Sequence, residues 1–219
     1  MKVNDNRVFP AALNLQGRAV LVVGGDQEAV QKVPKLLAAG AHVTIVAPSV
    51  EPALAQAAAE RLLTWHARPF EPADVERMHV VMLTPLDPVR AAQLRALADS
   101  AHFWLCAIDQ PAFSDFFMVS SLERGPVQIA ISTGGGAPLL ARRVRQALER
   151  GLDARFGEFA RSFACLRASL RALPKAERMH LLERALDGFA MDVTVRYPES
   201  YPQDDGQGAG DPPDEAREK

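Results

Sequence analysis

The stretch that decides the fold is Arg18-Ala19-Val20-Leu21-Val22-Val23-Gly24-Gly25, an apolar run closed by two glycines. Such a run predicts a strand that is buried on both faces, as in a parallel sheet covered by helices. Gly40 marks the expected end of the helix that follows. One face of that helix is apolar and comprises Ala29, Val30, Val33, Leu36 and Leu37. The sequence therefore predicts a strand, a tight glycine turn and a helix in succession.

The same alternation of strand and helix continues to about residue 111. Apolar and β-branched runs predict strands over 42–47, 63–66, 79–84 and 103–108, and helical spacing predicts helices over 53–63 and 88–100. Strands that alternate with helices are typical of βαβ units around a parallel sheet. We therefore expect an α/β fold, with a Rossmann-like parallel sheet over residues 1–111.

The remaining sequence divides into three segments of different character. Residues 112–150 predict a hairpin, with strands over 116–119 and 127–132 joined by a turn at 123–126. The unbroken apolar run Phe116-Phe117-Met118-Val119 is too apolar for an isolated hairpin to bury, which indicates a dimerisation segment. Residues 151–195 predict a small domain that is helical throughout. The acidic, proline-containing tail over 196–219 is expected to be disordered.

Composition and charge exclude several classes of protein. The chain has 219 residues and a formal net charge of −2, which gives no reason to expect nucleic-acid binding. No apolar run approaches the roughly 20 residues of a membrane-spanning helix, and no apolar leader follows the polar N-terminus, so a cytoplasmic protein is expected. Cys106 and Cys165 lie far apart, and the five histidines lack metal-ligand spacing, so no metal site is predicted. Cys106 is expected in a buried strand and Cys165 in the core.

Gly24, Gly25, Asp26 and Gln27 form the turn where a dinucleotide fold would hold a pyrophosphate. The G-x-G-x-x-G/A pattern needs small residues for the turn, for close approach of the phosphates and for helix packing. Gly24 and Ala29 match the first and third positions, whereas Asp26 places a carboxylate at the second. That carboxylate can cap the helix and compete with an anion. The alternative is a Rossmann-like sheet whose nucleotide site is weak or lost.

Asp109 follows the predicted strand over 103–108 directly. Ligands of parallel sheets bind beyond the carboxyl ends of the strands, so this carboxylate is expected in the crevice. The alternative is an aspartate that serves only to form the turn before Gln110-Pro111.

A polar, glycine-rich run precedes the helix that begins near Pro138. Successive glycines expose backbone N–H groups, hydroxyls add donors, and arginine is a bidentate donor to carboxylates. The run therefore predicts an anion site for carboxylates or phosphates, although it could also serve only as a connection. Its residues are Ser132, Thr133, Gly134, Gly135 and Gly136, with Arg142 on the helix.

These motifs together resemble the precorrin-2 dehydrogenase/sirohydrochlorin ferrochelatase family, the module found at the N-terminus of siroheme synthases. The resemblance runs from about residue 9 to about residue 168. Its most specific stretch is Ile129-Ala130-Ile131-Ser132-Thr133-Gly134-Gly135-Gly136-Ala137-Pro138. It also includes Leu15-Gln16-Gly17-Arg18, Ala107-Ile108-Asp109 and Asp115-Phe116-Phe117-Met118.

The resemblance implies a homodimer that oxidises precorrin-2 to sirohydrochlorin with NAD, and in many members also inserts ferrous iron to give siroheme. It assigns Asp109 as the catalytic residue, and Thr133, beside Ser132, as the hydroxyl of the substrate loop. One carboxylate could accept the protons released in both reactions. The cofactor positions that it implies are Gly24, Gly25, Asp26, Gln27, Pro48 and Thr84.

Three departures from the family pattern lie on the nucleotide side. The family has a third glycine at Asp26, Thr-Asp-Asp at Thr84-Pro85-Leu86, and asparagine at Cys106. The alternative hypothesis is therefore an NAD-deficient paralogue that binds or delivers a tetrapyrrole or only inserts metal.

Overall fold

Ala19–Val23 forms strand β1, which lies in the middle of a five-stranded parallel sheet. The structure is a computed structural model that describes residues 8–134 and 136–198, and these fall into two compact units, 8–120 and 121–198. The sheet belongs to the first unit, and its strand order is β3-β2-β1-β4-β5. The other strands are β2 (His42–Val46), β3 (Thr64–His66), β4 (Val80–Leu83) and β5 (Trp104–Ala107).

Three helices accompany this sheet: α1 (Gln27–Ala38), α2 (Pro52–Ala59) and α3 (Pro88–Ala101). Apolar residues of β1 alternate between two core clusters, with Val20 and Val22 in one and Leu21 and Val23 in the other. A strand that packs on both faces needs no polar alternation, which explains the continuous apolar run. The α/β fold with a Rossmann-like parallel sheet is therefore confirmed.

One predicted helix is shorter than the sequence suggested. Helix α2 ends at Ala59 rather than near Leu63 because Arg61 adopts a left-handed conformation with φ of 61°. The N–H of Arg61 donates to Ala58 and that of Leu62 to Ala57, which closes the helix in a Schellman motif. Arginine is unusual at this position, so the sequence gives no glycine to mark the stop.

The second unit begins with a two-stranded sheet, formed by β6 (Ser120–Arg124) and β7 (Val127–Ile131). The predicted hairpin is confirmed, with Gly125 at φ of 58° in its turn. The predicted first strand over 116–119 is wrong, since Phe116 instead packs against the core of the first unit. Three helices follow: α4 (Pro138–Gly151), α5 (Ala154–Ser169) and α6 (Lys175–Arg184).

The sequence predicts that residues 151–195 are helical throughout. This prediction is wrong for the residues that follow α6. Gly188 has φ of 79°, and Phe189, Met191, Val193 and Val195 then alternate with other residues in a segment without regular secondary structure. This period of two is typical of a strand, and no ladder among the described residues includes it. Residues 199–219 lie outside the described residues, so the predicted disorder of the tail stays a prediction.

Two further expectations concern the cysteines. Cys106 lies in β5 and is buried, as predicted. Cys165 is exposed on α5, so its expected place in the core is wrong. None of the described helices is long and apolar enough to cross a membrane.

Candidate functional site

Gly24 and Thr84 meet at the carboxyl ends of β1 and β4, where the strand order reverses. Open parallel sheets bind their ligands at this switch point. Gly24 has φ of 121°, and a Cβ added there would overlap Thr84 Oγ1 and lie 2.6 Å from Pro85 Cδ. Glycine at this position is therefore required for the close approach of the loops that follow β1 and β4.

Gly25 connects the same turn to the loop after β2 through a backbone hydrogen bond. Its carbonyl accepts a 2.8 Å hydrogen bond from the N–H of Glu51, and an added Cβ would lie 2.6 Å from the carbonyl oxygen of Ser49. Pro48 lies exposed in the same loop. The structure thus gathers four of the predicted cofactor positions, Gly24, Gly25, Pro48 and Thr84, at one edge of the sheet.

Asp26 caps the N-terminus of α1. Its backbone is extended, and its carboxylate accepts a 3.0 Å hydrogen bond from the N–H of Ala29. Glu28 adds a second carboxylate in the first turn, where it pairs with Lys32 at 3.2 Å, and Gln27 is exposed beside it. Acidic side chains therefore already lie at the positive end of α1. In dinucleotide folds this end of the helix attracts anions.

Two buried polar atoms at this edge have no hydrogen-bond partner among the described residues: Thr84 Oγ1 and Gln110 Oε1. Buried polar groups are nearly always paired, so an unpaired group indicates a missing partner such as water or a ligand. Gln110 also links two loops, because its Nε2 lies 3.4 Å from the carbonyl oxygen of Pro85. Sequence reasoning named Gln110 only as the residue after Asp109, although an amide close to a strand end could have identified it.

The glycine turn, the helix N-terminus and the unused oxygen atoms fit a dinucleotide at the switch point. The carboxylates of Asp26 and Glu28 oppose the negative charge of a diphosphate. The fold therefore provides a switch point that fits a dinucleotide, with two carboxylates at the helix N-terminus.

Asp109 lies in a turn directly after β5. The carbonyl of Ala107 accepts a 3.1 Å hydrogen bond from the N–H of Gln110, and Asp109 has φ of 57° between them. A positive φ at the third position is typical of a type II turn, and aspartate tolerates it better than most residues. Its side chain is exposed. Asp109 is therefore both a turn residue and an accessible carboxylate at the carboxyl edge of the sheet.

Cys106 lies three residues before Asp109. Its side chain is 2% exposed, and burial raises the pKa of the thiol to about 11. The thiol is therefore neutral at ordinary pH and acts as part of the core.

In the glycine-rich loop of the second unit, oxygen atoms of the loop accept hydrogen bonds from the loop's own backbone amides. Ser132 Oγ accepts from the N–H of Gly134 and Thr133 Oγ1 from the N–H of Ala137, both at 3.2 Å, while the Thr133 carbonyl accepts from the N–H of Gly136. Gly135 lies outside the described residues. Because the amides of Gly134, Gly136 and Ala137 are engaged within the loop, the hydroxyl protons of Ser132 and Thr133 are the side-chain donors that it can offer to a ligand.

Arg142 lies one turn into α4, which begins directly after this loop. Its side chain is exposed, and no described carboxylate forms an ion pair with it. Arg145, by contrast, is paired with Glu149 one turn farther along. Among the described residues, no group of three or more His, Cys, Asp or Glu side chains could hold a metal ion.

Family models match most of the described chain in two consecutive segments. Residues 11–120 match a family described as "Putative NAD(P)-binding", and residues 124–151 match one described as "Sirohaem biosynthesis protein central". The first match contains the switch point and Asp109, and the second contains the glycine-rich loop and Arg142.

Similar proteins include siroheme synthases from two bacteria. The protein from Methylococcus capsulatus is 34% identical over 190 residues, covering 86% of this chain and 40% of its own length. The protein from Gluconacetobacter diazotrophicus is 39% identical over 194 residues, which cover 86% of this chain and 41% of that protein's length. The chain thus spans about two fifths of the length of these relatives.

A solved structure named SirC, precorrin-2 dehydrogenase, has the same fold. It superimposes with a TM-score of 0.67 at 24% identity, covering 83% of this chain and 90% of that one. The chain therefore belongs to the family described as "Putative NAD(P)-binding", and a sirohaem-biosynthesis segment follows that match.

Proposed function

We propose that the chain catalyses the NAD-dependent oxidation of precorrin-2 to sirohydrochlorin. The observation that carries this proposal is the succession of an NAD(P)-binding segment and a sirohaem-biosynthesis segment in one chain, with Asp109 at the carboxyl edge of the sheet. The names of the similar proteins, siroheme synthase and precorrin-2 dehydrogenase, support the same reaction.

The residues proposed to hold the cofactor are Gly24, Gly25, Asp26, Gln27, Pro48 and Thr84. When bound, NAD supplies the hydride acceptor, which no side chain can provide. The chain's own contribution is positioning: the glycine turn is fixed to the loops after β2 and β4, as described above. Gln110 joins this set because its buried Oε1 has no hydrogen-bond partner within the described part of the chain.

Asp109 is proposed as the proton acceptor. Oxidation of a tetrapyrrole releases a proton together with the hydride, and metal insertion releases the pyrrole N–H protons. A carboxylate that no described side chain neutralises, at the edge where ligands bind, can accept a proton in either reaction.

The substrate clamp is proposed to lie in the second unit. A tetrapyrrole of this class carries many carboxylates, which hydroxyl donors and an unpaired guanidinium bind well. The residues proposed for this role are Ser132, Thr133, Gly134, Gly135, Gly136 and Arg142.

The test is an anaerobic assay of the purified chain with precorrin-2 and NAD, in which NADH and the sirohydrochlorin spectrum are followed together. Equal amounts of both products are expected. Sirohydrochlorin without NADH, or neither product at any NAD concentration, would contradict the proposal.

Iron insertion is proposed as a second activity of the same site. Ferrous iron is then a substrate, and the assay is siroheme formation from sirohydrochlorin under anaerobic conditions. This activity needs Asp109 but not NAD, so the two reactions can be measured separately.

The second candidate function is a paralogue that has lost NAD and binds, delivers or metallates a tetrapyrrole. The cap formed by Asp26 and the neighbouring Glu28 favour it, because both carboxylates lie where a diphosphate would bind. Calorimetric titration with NAD discriminates between the two candidates. Saturable binding supports the dehydrogenase, whereas absence of binding together with siroheme formation supports the paralogue.

Replacing Asp26 by Gly is expected to strengthen NAD binding roughly tenfold or somewhat more. A carboxylate beside a diphosphate costs up to about 4 kcal/mol at an effective dielectric constant of about 20, and screening lowers this to about 1–2 kcal/mol. Glycine is itself an acceptable N-cap, so the helix should lose only a few tenths of a kcal/mol. The measurement is an NAD titration of both proteins in one low-salt buffer.

The matched variant is Asp26→Asn, which keeps the size and the capping oxygen but removes the charge. A gain for both variants would identify the charge as the cause, and a gain for Asp26→Gly alone would identify the side chain's size. Tight NAD binding by the unmutated chain, or no gain in either variant, would show that Asp26 does not weaken the site.

A homodimer formed through residues 112–150 is also proposed. Phe117, Met118 and Val119 expose between 37% and 40% of their surfaces, and β6 and β7 form a sheet of only two strands. Two-stranded sheets are marginal alone, and adjacent exposed apolar residues mark interaction surfaces.

Sedimentation equilibrium at micromolar concentration should therefore give twice the chain mass of 23.8 kDa. Replacing Phe117 by Glu should shift the equilibrium toward monomer, because it places a charge in the apolar surface. Leu62→Glu is the control, since Leu62 is 58% exposed outside this segment. A monomer that does not change on dilution would refute the dimer.

A further inference from the structure

The turn that carries Asp109 is held by Ser114, whose hydroxyl reaches both ends of that turn. Ser114 Oγ accepts a 3.0 Å hydrogen bond from the N–H of Ala107. The same oxygen lies 3.1 Å from the carbonyl oxygens of Ala107 and of Gln110, so its single proton is donated to one of them or shared. One hydroxyl thus contacts the residues on either side of Ile108 and Asp109.

Asp115 keeps Ser114 in place. The N–H of Asp115 donates to the carbonyl of Leu105 at 2.7 Å, and its carboxylate accepts from the N–H of Leu105 at 2.8 Å. The guanidinium of Arg95 holds the other carboxylate oxygen at 2.7 Å. Since β5 is the edge strand of the sheet, Ser114 and Asp115 provide the hydrogen bonds that a further strand would otherwise make.

The turn needs such support because of its backbone conformation. Asp109 has φ of 57°, a region that residues other than glycine rarely adopt. The hydrogen bond from Gln110 to Ala107 is the only one that the four turn residues make among themselves. Uncommon backbone conformations persist where surrounding contacts hold them.

We propose that Ser114 is a positioning residue for Asp109: its hydroxyl fixes the turn that aims the carboxylate into the crevice. The inference rests on the proposed function, in which Asp109 accepts the proton. Ser114 does not itself touch the substrate in this proposal, so it affects the reaction only through the turn that carries Asp109.

The test is Ser114→Ala, studied in the full chain by amide hydrogen exchange and by steady-state kinetics of precorrin-2 oxidation. Loss of the hydroxyl should speed exchange of the Ala107 and Gln110 amides about tenfold. The value of kcat should fall about 10–100-fold, as for a misplaced catalytic group. KM for NAD should change less than kcat, because Gln110 is the only residue of the proposed cofactor set that lies in this turn.

Ser114→Thr keeps the hydroxyl and should restore both the amide protection and kcat. Ser100→Ala is the control, since Ser100 also donates to a backbone carbonyl, that of Leu97 at 2.9 Å, but lies at the exposed end of α3. It should change neither readout.

The proposal is overturned if the Ala107 and Gln110 amides keep their protection in Ser114→Ala. It is also overturned if they exchange faster while kcat stays at the value of the unmutated chain, or if kcat falls equally in Ser114→Thr. If the unmutated chain does not oxidise precorrin-2, the proposed function fails, and the exchange measurement alone decides whether Ser114 holds the turn.

Discussion

Replacing Asp109 by Asn is expected to lower the rate of precorrin-2 oxidation by about 10²–10⁴-fold while the fold is retained. The amide has nearly the same size but cannot accept the proton. Asparagine also tolerates a left-handed backbone, so φ of 57° at this position should not strain the variant. The measurement is kcat under saturating NAD, with far-UV circular dichroism to check the fold.

The same substitution should also abolish siroheme formation from sirohydrochlorin if one base serves both reactions. Asp187→Asn is the control, because Asp187 is exposed beyond the end of α6 and belongs to the second unit. An Asp109→Asn protein that oxidises precorrin-2 at the rate of the unmutated chain would show that Asp109 is not the base. Loss of only one activity would show that the two reactions use different bases.

The first unit could be predicted well because its central strands, β1 and β4, are buried on both faces. The run at Ala19–Val23 is apolar at every position. Arg18 therefore marks where the strand begins, and Gly24 marks where it ends. The capping role of Asp26 was also predictable, since aspartate directly before a helix accepts from that helix's own amides. These features depend on local sequence alone.

Other features depend on contacts between distant residues. The run at 116–119 has the composition of a strand, yet Phe116 packs on the core of the first unit, and β6 begins only at Ser120. The hydrogen bond between Gln110 and Pro85 joins loops that are far apart in sequence, as does that between Asp115 and Arg95. No periodicity or motif encodes such pairs.

The glycine-rich loop illustrates a different limit. Its composition predicts free amides, whereas Ser132 and Thr133 accept hydrogen bonds from those amides. Serine and threonine hydroxyls compete for nearby backbone groups in this way, and the outcome depends on the path of the loop. The groups proposed to donate to a ligand are therefore the hydroxyls of Ser132 and Thr133 and the guanidinium of Arg142, rather than backbone N–H groups.

Replacing Gly24 by Ala is expected to destabilise the first unit by about 2–5 kcal/mol, a large part of the roughly 5–15 kcal/mol that stabilises a typical domain. Two costs combine. Alanine is strained at φ of 121°, and its Cβ would overlap Thr84 Oγ1 and press on Pro85, neither of which can move away easily. Thr84 is buried, and the proline ring is rigid. Urea unfolding of both proteins measures the difference.

The substitution Gly17→Ala measures the cost of a positive φ without the cost of a steric overlap. Gly17 also has a positive φ, of 68°, but a Cβ there would meet nothing within 4 Å. It should therefore cost only about 1–2 kcal/mol, the strain of a left-handed backbone. If the loops after β1 and β4 must meet at Gly24 to form the dinucleotide site, Gly24→Ala should also abolish NAD binding at temperatures where the variant is still folded, while Gly17→Ala should bind normally. Equal destabilisation by the two substitutions would mean that the contact with Thr84 contributes nothing, and that backbone strain alone fixes glycine at position 24.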